Sequence, residues 1–322
     1  MATLYFHIGL SKTGSTFLQK EVFPLVESLQ YFKKPIVELL DAERPWKGSL
    51  TRFFQRSPII WRDLGETLFY ELLGPRPAHR QKVDVLISDE NACSYRDPSL
   101  VAAHLTAFRD LAIQWGFDRV RVIGSVRQQA FRLASSYAQT SDRRVGASQE
   151  DFEANLRETI GADYYNRGVT LEYDQLWQAL AGVVRKDNIL LLPYELMKQD
   201  FGAFMERWFA FLERGEEGRQ LLKQLKKRVG IQLHNVRSAS ARTWALRQRT
   251  IQGAQTLRLR PERLLGRLGL PTRIPLRWPD FDRGDRITVT PRLQWEVMQR
   301  YEQSNRALAA QIDMDLRHYG YY

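Results

Sequence analysis

The chain has 322 residues, 43% hydrophobic and 26% charged, which allows one large α/β domain or two smaller ones and excludes wholesale disorder. Its single cysteine, Cys93, excludes an internal disulfide framework and a cysteine-based zinc cluster, and five scattered histidines argue against any metal site. The formal charge of +11 is concentrated in residues 223–273, where thirteen Lys and Arg face one acid, Glu262, so this segment is expected to draw an anionic partner.

The first predicted element is the apolar run "ATLYFHIGL", a buried strand ending near Gly9. A glycine-containing turn follows, then a predicted helix from Thr16 to Leu29. Residues 30–80, with Trp46, Trp61 and several prolines, read as a helical insertion. The second strand is "VDVLISDE" (83–90), followed by a helix over Ser99 to Trp115. The third strand, "RVRVIGSVR" (119–127), leads into a helix from Gln128 to Gln139. A helix at 171–182 precedes the fourth strand, "NILLLPYE" (188–195), and "FGAFMERWFAFL" follows it. Beyond residue 215 the pattern becomes basic, amphipathic and mostly helical up to 290, and a final helix is expected over 291–309. Apolar runs alternating with helices predict an α/β fold with a central, mostly parallel sheet flanked by helices, in a single domain spanning 1–322. No run has the length of a membrane span and no basic region precedes the first strand, so a cytoplasmic location is expected.

The turn "GLSKTGSTFLQ" has the physical parts of an anion site: a strand ends, the chain turns tightly, and a helix starts with its N–H groups free. It is not a Walker A loop. Gly9 and Gly14 keep that spacing, but Ser15 stands where the lysine belongs, and the lysine is Lys12. A glycine turn with a solvated lysine is the bland alternative. Asp89 and Glu90, closing the second strand, leave a metal-binding acid open on pattern alone.

The loop resembles the 5′-phosphosulfate loop of sulfotransferases that use 3′-phosphoadenosine 5′-phosphosulfate (PAPS), whose common form is P-K-S/T-G-S/T-T; Ser11 replaces the proline. The resemblance implies a P-loop-type three-layer fold, PAPS as cofactor with PAP as product, and no metal requirement. It implies Thr13, Gly14, Ser15 and Thr16 around the 5′-phosphate, and Lys12 as both a cofactor contact, at the bridging oxygen or the sulfonate, and the catalytic cation. The family holds the 3′-phosphate with a strand-end arginine and a serine eight residues on, and Arg127 and Ser135 match that pair. The stretch "RQQAFR" lacks the family's Asp-Pro but keeps the outer arginine, Arg132. "LISDEN" resembles the bacterial "SSEN", which implies Glu90 as general base ahead of Asp89, although either acid can instead cap a helix or pair with a basic residue. His7 reads as a packed or supporting residue, His104 as structural or exposed, and His234 as part of a lid over the cofactor or acceptor, while the same resemblance implies Arg237 and Ser238 as cofactor-binding candidates.

"NILLLPYELM" and the tail "SNRALAAQIDMDLRHYGYY" resemble bacterial relatives of carbohydrate sulfotransferases. That tilts the expected acceptor toward a carbohydrate or glycolipid hydroxyl. The basic segment then reads as a groove for an anionic glycan, or as peripheral contact with an anionic membrane surface through interleaved leucines and arginines. Nucleic acid is not expected, because no reader module is recognisable. Two competing readings are a magnesium-dependent phosphotransferase and a non-catalytic protein that binds a nucleotide or an acidic polymer. Only a cofactor with a 3′-phosphate gives the Arg127 and Ser135 pair a purpose.

Overall fold

The computed structural model describes residues 1–32, 50–90, 92, 97–161, 169–232, 242–247 and 285–322. In chain order the principal elements are β1 (Thr3–His7), α1 (Ser15–Phe17), β2 (Leu29–Phe32), α2 (Leu50–Phe54), α3 (Ile60–Leu73), β3 (Asp84–Ser88), α4 (Pro98–Gln114), β4 (Arg119–Val126), α5 (Gln129–Thr140) and α6 (Gln149–Gly161). Then come α7 (Tyr173–Val184), β5 (Ile189–Pro193), α8 (Tyr194–Gln199), α9 (Phe201–Phe211), α10 (Gly215–Gln232), β6 (Thr243–Ala245), β7 (Arg286–Thr288) and α11 (Pro291–Ile312). Strands β1 to β5 make one sheet in the order β2-β3-β1-β4-β5, every neighbouring pair parallel.

Alternation along each strand sends side chains to two cores. Leu4 and Phe6 of β1, with Ile8 just after it, pack with Val85, Ile87 and Val122 beneath α2, α3, α4 and α7. Tyr5 points the other way, joining Leu86, Ile123 and Leu192 under the Ser15–Leu25 segment and helices α8 to α10. The result is three layers, helices on both faces of a parallel sheet, as continuous apolar strands require. A third cluster packs α5, α6 and α11 against the antiparallel pair β6–β7 through Tyr137, Phe152, Trp244, Ile287 and Tyr301. Helix starts follow local chemistry: Asp97 accepts from the Ser99 N–H at 2.8 Å ahead of Pro98, and Thr290 from the Leu293 N–H at 3.2 Å ahead of Pro291.

Three expectations need correction. The helix predicted over Thr16 to Leu29 is three residues of α-helix, a π turn over Leu18–Val22 and a 3-10 turn over Phe23–Leu25. Pro24, with no N–H to donate, cannot extend an α ladder there. The region 30–80 is not helical throughout, since residues 30–32 belong to strand β2; α2 and α3 occupy its later part. The Tyr194–Glu195 pair, expected to end a strand, opens α8, because β5 stops at Pro193. Most of the basic segment, with Arg237, Ser238 and His234, lies outside the described residues, as do Cys93 and Asn91. In the 215–290 region the described parts are α10 and the two short strands β6 and β7. Among the described residues no helix is long and apolar enough to cross a membrane, and no group of three or more His, Cys, Asp or Glu is placed to hold a metal ion.

Candidate active site

Parallel sheets leave their functional groups beyond the carboxyl ends of the strands, and four strand ends converge here. The loop after β1 starts where the Ile8 N–H still pairs with the Ile123 carbonyl of β4 at 2.8 Å. Within it Lys12 has φ of 73° and Gly14 φ of 84°. The left-handed conformation at Lys12 costs about 1–2 kcal/mol for a residue with a side chain. The neighbouring strand holds it: Arg127, the residue after β4, donates from Nη1 to the Lys12 carbonyl at 2.9 Å. The Thr13 hydroxyl donates to the Leu10 carbonyl across the turn. A Cβ on Gly14 would lie 2.5 Å from Met197 Cε and 3.1 Å from Tyr194 Cε2 of α8, and φ of 84° at this position favours glycine. Tyr194 also lies against the Arg127 guanidinium, 4.9 Å from ring centroid to Cζ. Thr13 and Ser15 are buried, Lys12, Gly14 and Ser135 half-buried, and Thr16 exposed.

The junction of β4 and α5 is tied down from several directions. The Tyr173 hydroxyl donates to the Arg127 carbonyl at 2.7 Å, and the Gln128 N–H donates to Glu195 Oε1 at 3.1 Å. Glu195 Oε2 accepts from the Tyr321 hydroxyl at 2.9 Å, which brings the C-terminal Tyr-Gly-Tyr stretch back beneath the site. Asn305 of α11 anchors that tail, donating to the Tyr321 carbonyl at 2.9 Å and exchanging hydrogen bonds with Gln129. Burial pushes the Glu195 carboxyl up, against the donated hydrogen bonds and the nearby Arg127 charge. The Tyr321 phenol is pushed well up by burial and by the Glu195 charge, so it stays a donor. Two donors at this junction have no partner among the described residues: Arg127 Nε and Gln128 Nε2, on residues 9% and 1% exposed. Arg132, the outer arginine of the sequence pattern, is instead an internal tie, donating to the Thr170 carbonyl at 3.0 Å.

The two acids after β3 part company. Asp89 is buried and accepts from the Thr51 hydroxyl of α2 at 2.6 Å. Glu90, half-buried, turns to the other face, where Gln19 Nε2 donates to its Oε2 at 2.9 Å. The same nitrogen donates to the Ser88 hydroxyl at 2.9 Å, and Ser88 Oγ lies 2.8 Å from His7 Nδ1. Tyr31 of β2 is close by, its phenol pushed up to about 12 by burial and by the Glu90 charge. Gln19, Ser88, Glu195 and Tyr321 are the site's contributors that motif reading missed. "STFLQ" and the final "YGYY" were visible signals, but nothing in them says which strand end they reach.

His7 and His104 are both buried. His104 accepts from Trp61 Nε1 at 2.8 Å and therefore carries its proton on Nε2, 3.0 Å from the Arg56 carbonyl, a structural arrangement. Burial lowers His7 to about 4, with the Glu90 charge opposing the shift. Because the folded state keeps His7 neutral while an unfolded chain takes up a proton below about 6.5, its contribution to stability is complete above pH 6.5 and is lost as pH falls toward 4. Urea unfolding at pH 7.5 and pH 4.5 is expected to show wild type losing roughly 2–3 kcal/mol more than His7→Asn. Equal losses in the two proteins would show that His7 titrates normally in the fold.

The sequence profile of the sulfotransferase domain matches residues 5–240, well over half of the chain. Among solved structures, a sulfotransferase from Alicyclobacillus acidocaldarius is similar over 98% of this chain and 97% of its own, at 14% identity and a TM-score of 0.51, a likeness of fold. Mouse sulfotransferase SULT7A1 complexed with PAP matches over 69% of this chain and 63% of its own, at 14% identity and a TM-score of 0.38. The sulfotransferase domain from the curacin biosynthetic pathway matches over 69% and 78%, at 12% identity and a TM-score of 0.34. No curated protein matches the sequence. On the domain match from residue 5 to residue 240, the chain belongs to the family of PAPS-dependent sulfotransferases.

Proposed function

We propose that this single domain transfers a sulfuryl group from PAPS to an acceptor hydroxyl on a carbohydrate or glycolipid. The observation that carries the reading is Arg127, which holds the Lys12 carbonyl with Nη1 while its buried Nε has no partner among the described residues. A buried donor left unpaired costs about 1–3 kcal/mol, and a phosphate oxygen relieves that cost. The residues therefore fit a ligand with anionic groups at both the loop and the β4 end.

PAPS, when bound, supplies a sulfuryl group joined to an anionic leaving group. In the proposed arrangement Thr13, Gly14, Ser15 and Thr16 surround the 5′-phosphate, with backbone N–H groups as the main donors. Arg127 and Ser135 hold the 3′-phosphate, the guanidinium through its planar fork. Lys12 neutralises the charge that develops on the leaving oxygen, a role that needs no metal. Glu90 takes the proton of the acceptor hydroxyl as the new oxygen–sulfur bond forms and the bond from sulfur to the bridging oxygen breaks. Arg237 is assigned to the cofactor, and the rest of the basic segment to the acceptor side, as a surface for an anionic glycan or for an anionic membrane face carrying a lipid-linked sugar.

Calorimetry with PAP, 5′-AMP and ATP with magnesium tests the donor. PAP is expected to bind at least tenfold more tightly than 5′-AMP, and ATP with magnesium more weakly than PAP. ATP with magnesium binding as well as PAP would instead favour a phosphotransferase. PAP binding without turnover of PAPS against any glycan would favour a non-catalytic binding protein.

A further inference from the structure

We propose that Gln19 is the positioning residue for Glu90, and that Ser88 and His7 lock the Gln19 amide; this rests on the reading of Glu90 as the base. The sheet register makes the arrangement. His7 of β1 pairs with Ser88 of β3, and both side chains project on the face covered by the Ser15–Leu25 segment. Gln19 lies in the π turn of that segment. Such turns insert a residue into the helical repeat and re-aim side chains, often at functional sites.

The Gln19 amide nitrogen has two hydrogens, and both are used: one on Ser88 Oγ, the other on Glu90 Oε2, each at 2.9 Å. A flipped amide would set its oxygen against the carboxylate, so the Glu90 charge itself selects the orientation. Ser88, accepting from Gln19, has its own proton to give to His7 Nδ1 at 2.8 Å. His7 then carries its hydrogen on Nε2, and neutrality suits its full burial. Nothing among the described residues pairs with that Nε2. The ring edge instead abuts the start of the cofactor loop, where a Cβ on Gly9 would lie 2.8 Å from His7 Cε1 and 2.9 Å from Nε2. Gly9, His7, Ser88, Gln19 and Glu90 thus form one continuous contact path, so the loop that holds the donor and the carboxylate that serves the acceptor share a rigid reference.

Among the described residues the titratable groups facing Glu90 include His7 and Tyr31, and Tyr31 also donates to the Gln19 carbonyl at 3.4 Å. With the Gln19 amide gone, the carboxylate loses a charge-assisted hydrogen bond and one of its orientation constraints. Asp89 cannot replace Glu90, since it is buried on the opposite face against Thr51.

The test uses the full chain and PAPS with water as acceptor, read as PAP release, together with nuclear magnetic resonance of the Gln19 side-chain amide. Gln19→Met is expected to lower kcat by about tenfold or more while the KM for PAPS and the affinity for PAP stay within about twofold. In wild type the Gln19 NH₂ pair is expected to be slow to exchange. One of its proton signals should move in Glu90→Gln and the other in Ser88→Ala, and Ser88→Thr should restore both the signal and the rate. If Gln19→Met does not fold, the Ser88→Ala and Ser88→Thr pair carries the same test. Unchanged kcat in Gln19→Met, or Gln19 amide signals indifferent to Glu90→Gln and Ser88→Ala, would overturn the proposal. If Glu90→Gln itself keeps the wild-type rate, the base assignment falls, a result separable from failure at Gln19.

Discussion

Arg127→Ala is expected to weaken PAP binding by about two orders of magnitude while changing the affinity for 5′-AMP far less. A hydrogen bond to a charged group contributes about 1.5–3 kcal/mol, and a guanidinium on a phosphate can make two. The same side chain also holds the Lys12 carbonyl at 2.9 Å, so its removal frees a loop residue that sits at φ of 73°. The two consequences separate by ligand. Loss of the 3′-phosphate contact affects PAP alone, whereas a loosened loop weakens PAP and 5′-AMP together. Arg127→Lys should recover part of the PAP affinity, because it keeps the charge but not the planar fork. Equal weakening of both nucleotides by Arg127→Ala would make Arg127 a loop anchor and remove the 3′-phosphate from its role. Calorimetry on the three proteins with the two nucleotides decides between these outcomes.

Lys12→Ala is expected to slow sulfuryl transfer by about 10²–10³-fold with PAP affinity reduced no more than about tenfold. Removing one preorganised group from the place where charge develops costs rate rather than ground-state binding, and effects of this size are ordinary for such groups. The substitution is a clean one for the backbone, since alanine and lysine carry the same Cβ at the left-handed position, whereas Lys12→Gly would also relieve the conformational cost. Single-turnover measurement with labelled PAPS separates the chemical step from binding. A variant that binds PAP much more weakly yet transfers at the wild-type rate would reassign Lys12 to holding the cofactor.

What the amino-acid order settled by itself is the part that depends on short-range chemistry. Strands β1, β3, β4 and β5 are legible because a strand buried on both faces is built around apolar residues, as "ILLLP" is and as Val120, Val122, Ile123 and Val126 are within "RVRVIGSV". The two motifs that point to the family are legible because the spacing of their residues within a strand, turn and helix is local, and both fall inside the domain match over residues 5–240. The roles proposed for Lys12, Arg127 and Ser135 rest on that resemblance. Strand β2, "LQYF", escaped notice: it is four residues long and lies at the sheet edge with Gln30 exposed, so its apolar run is too short to stand out. Strands β6 and β7 escaped for a different reason, since three-residue segments some forty positions apart have no local signal for pairing. Only the tertiary structure decided which acid at the end of β3 faces which side, because that depends on α2 placing Thr51 against Asp89. It alone joined His7 to Ser88 and Gln19 to Glu90, contacts 81 and 71 residues apart in sequence that follow from the parallel register of β1 with β3. The C-terminal tyrosine reaches Glu195 across 126 residues in the same way. Hydrogen bonds of that range depend on how strands line up and helices pack over them, and so they become visible only once the whole chain is folded.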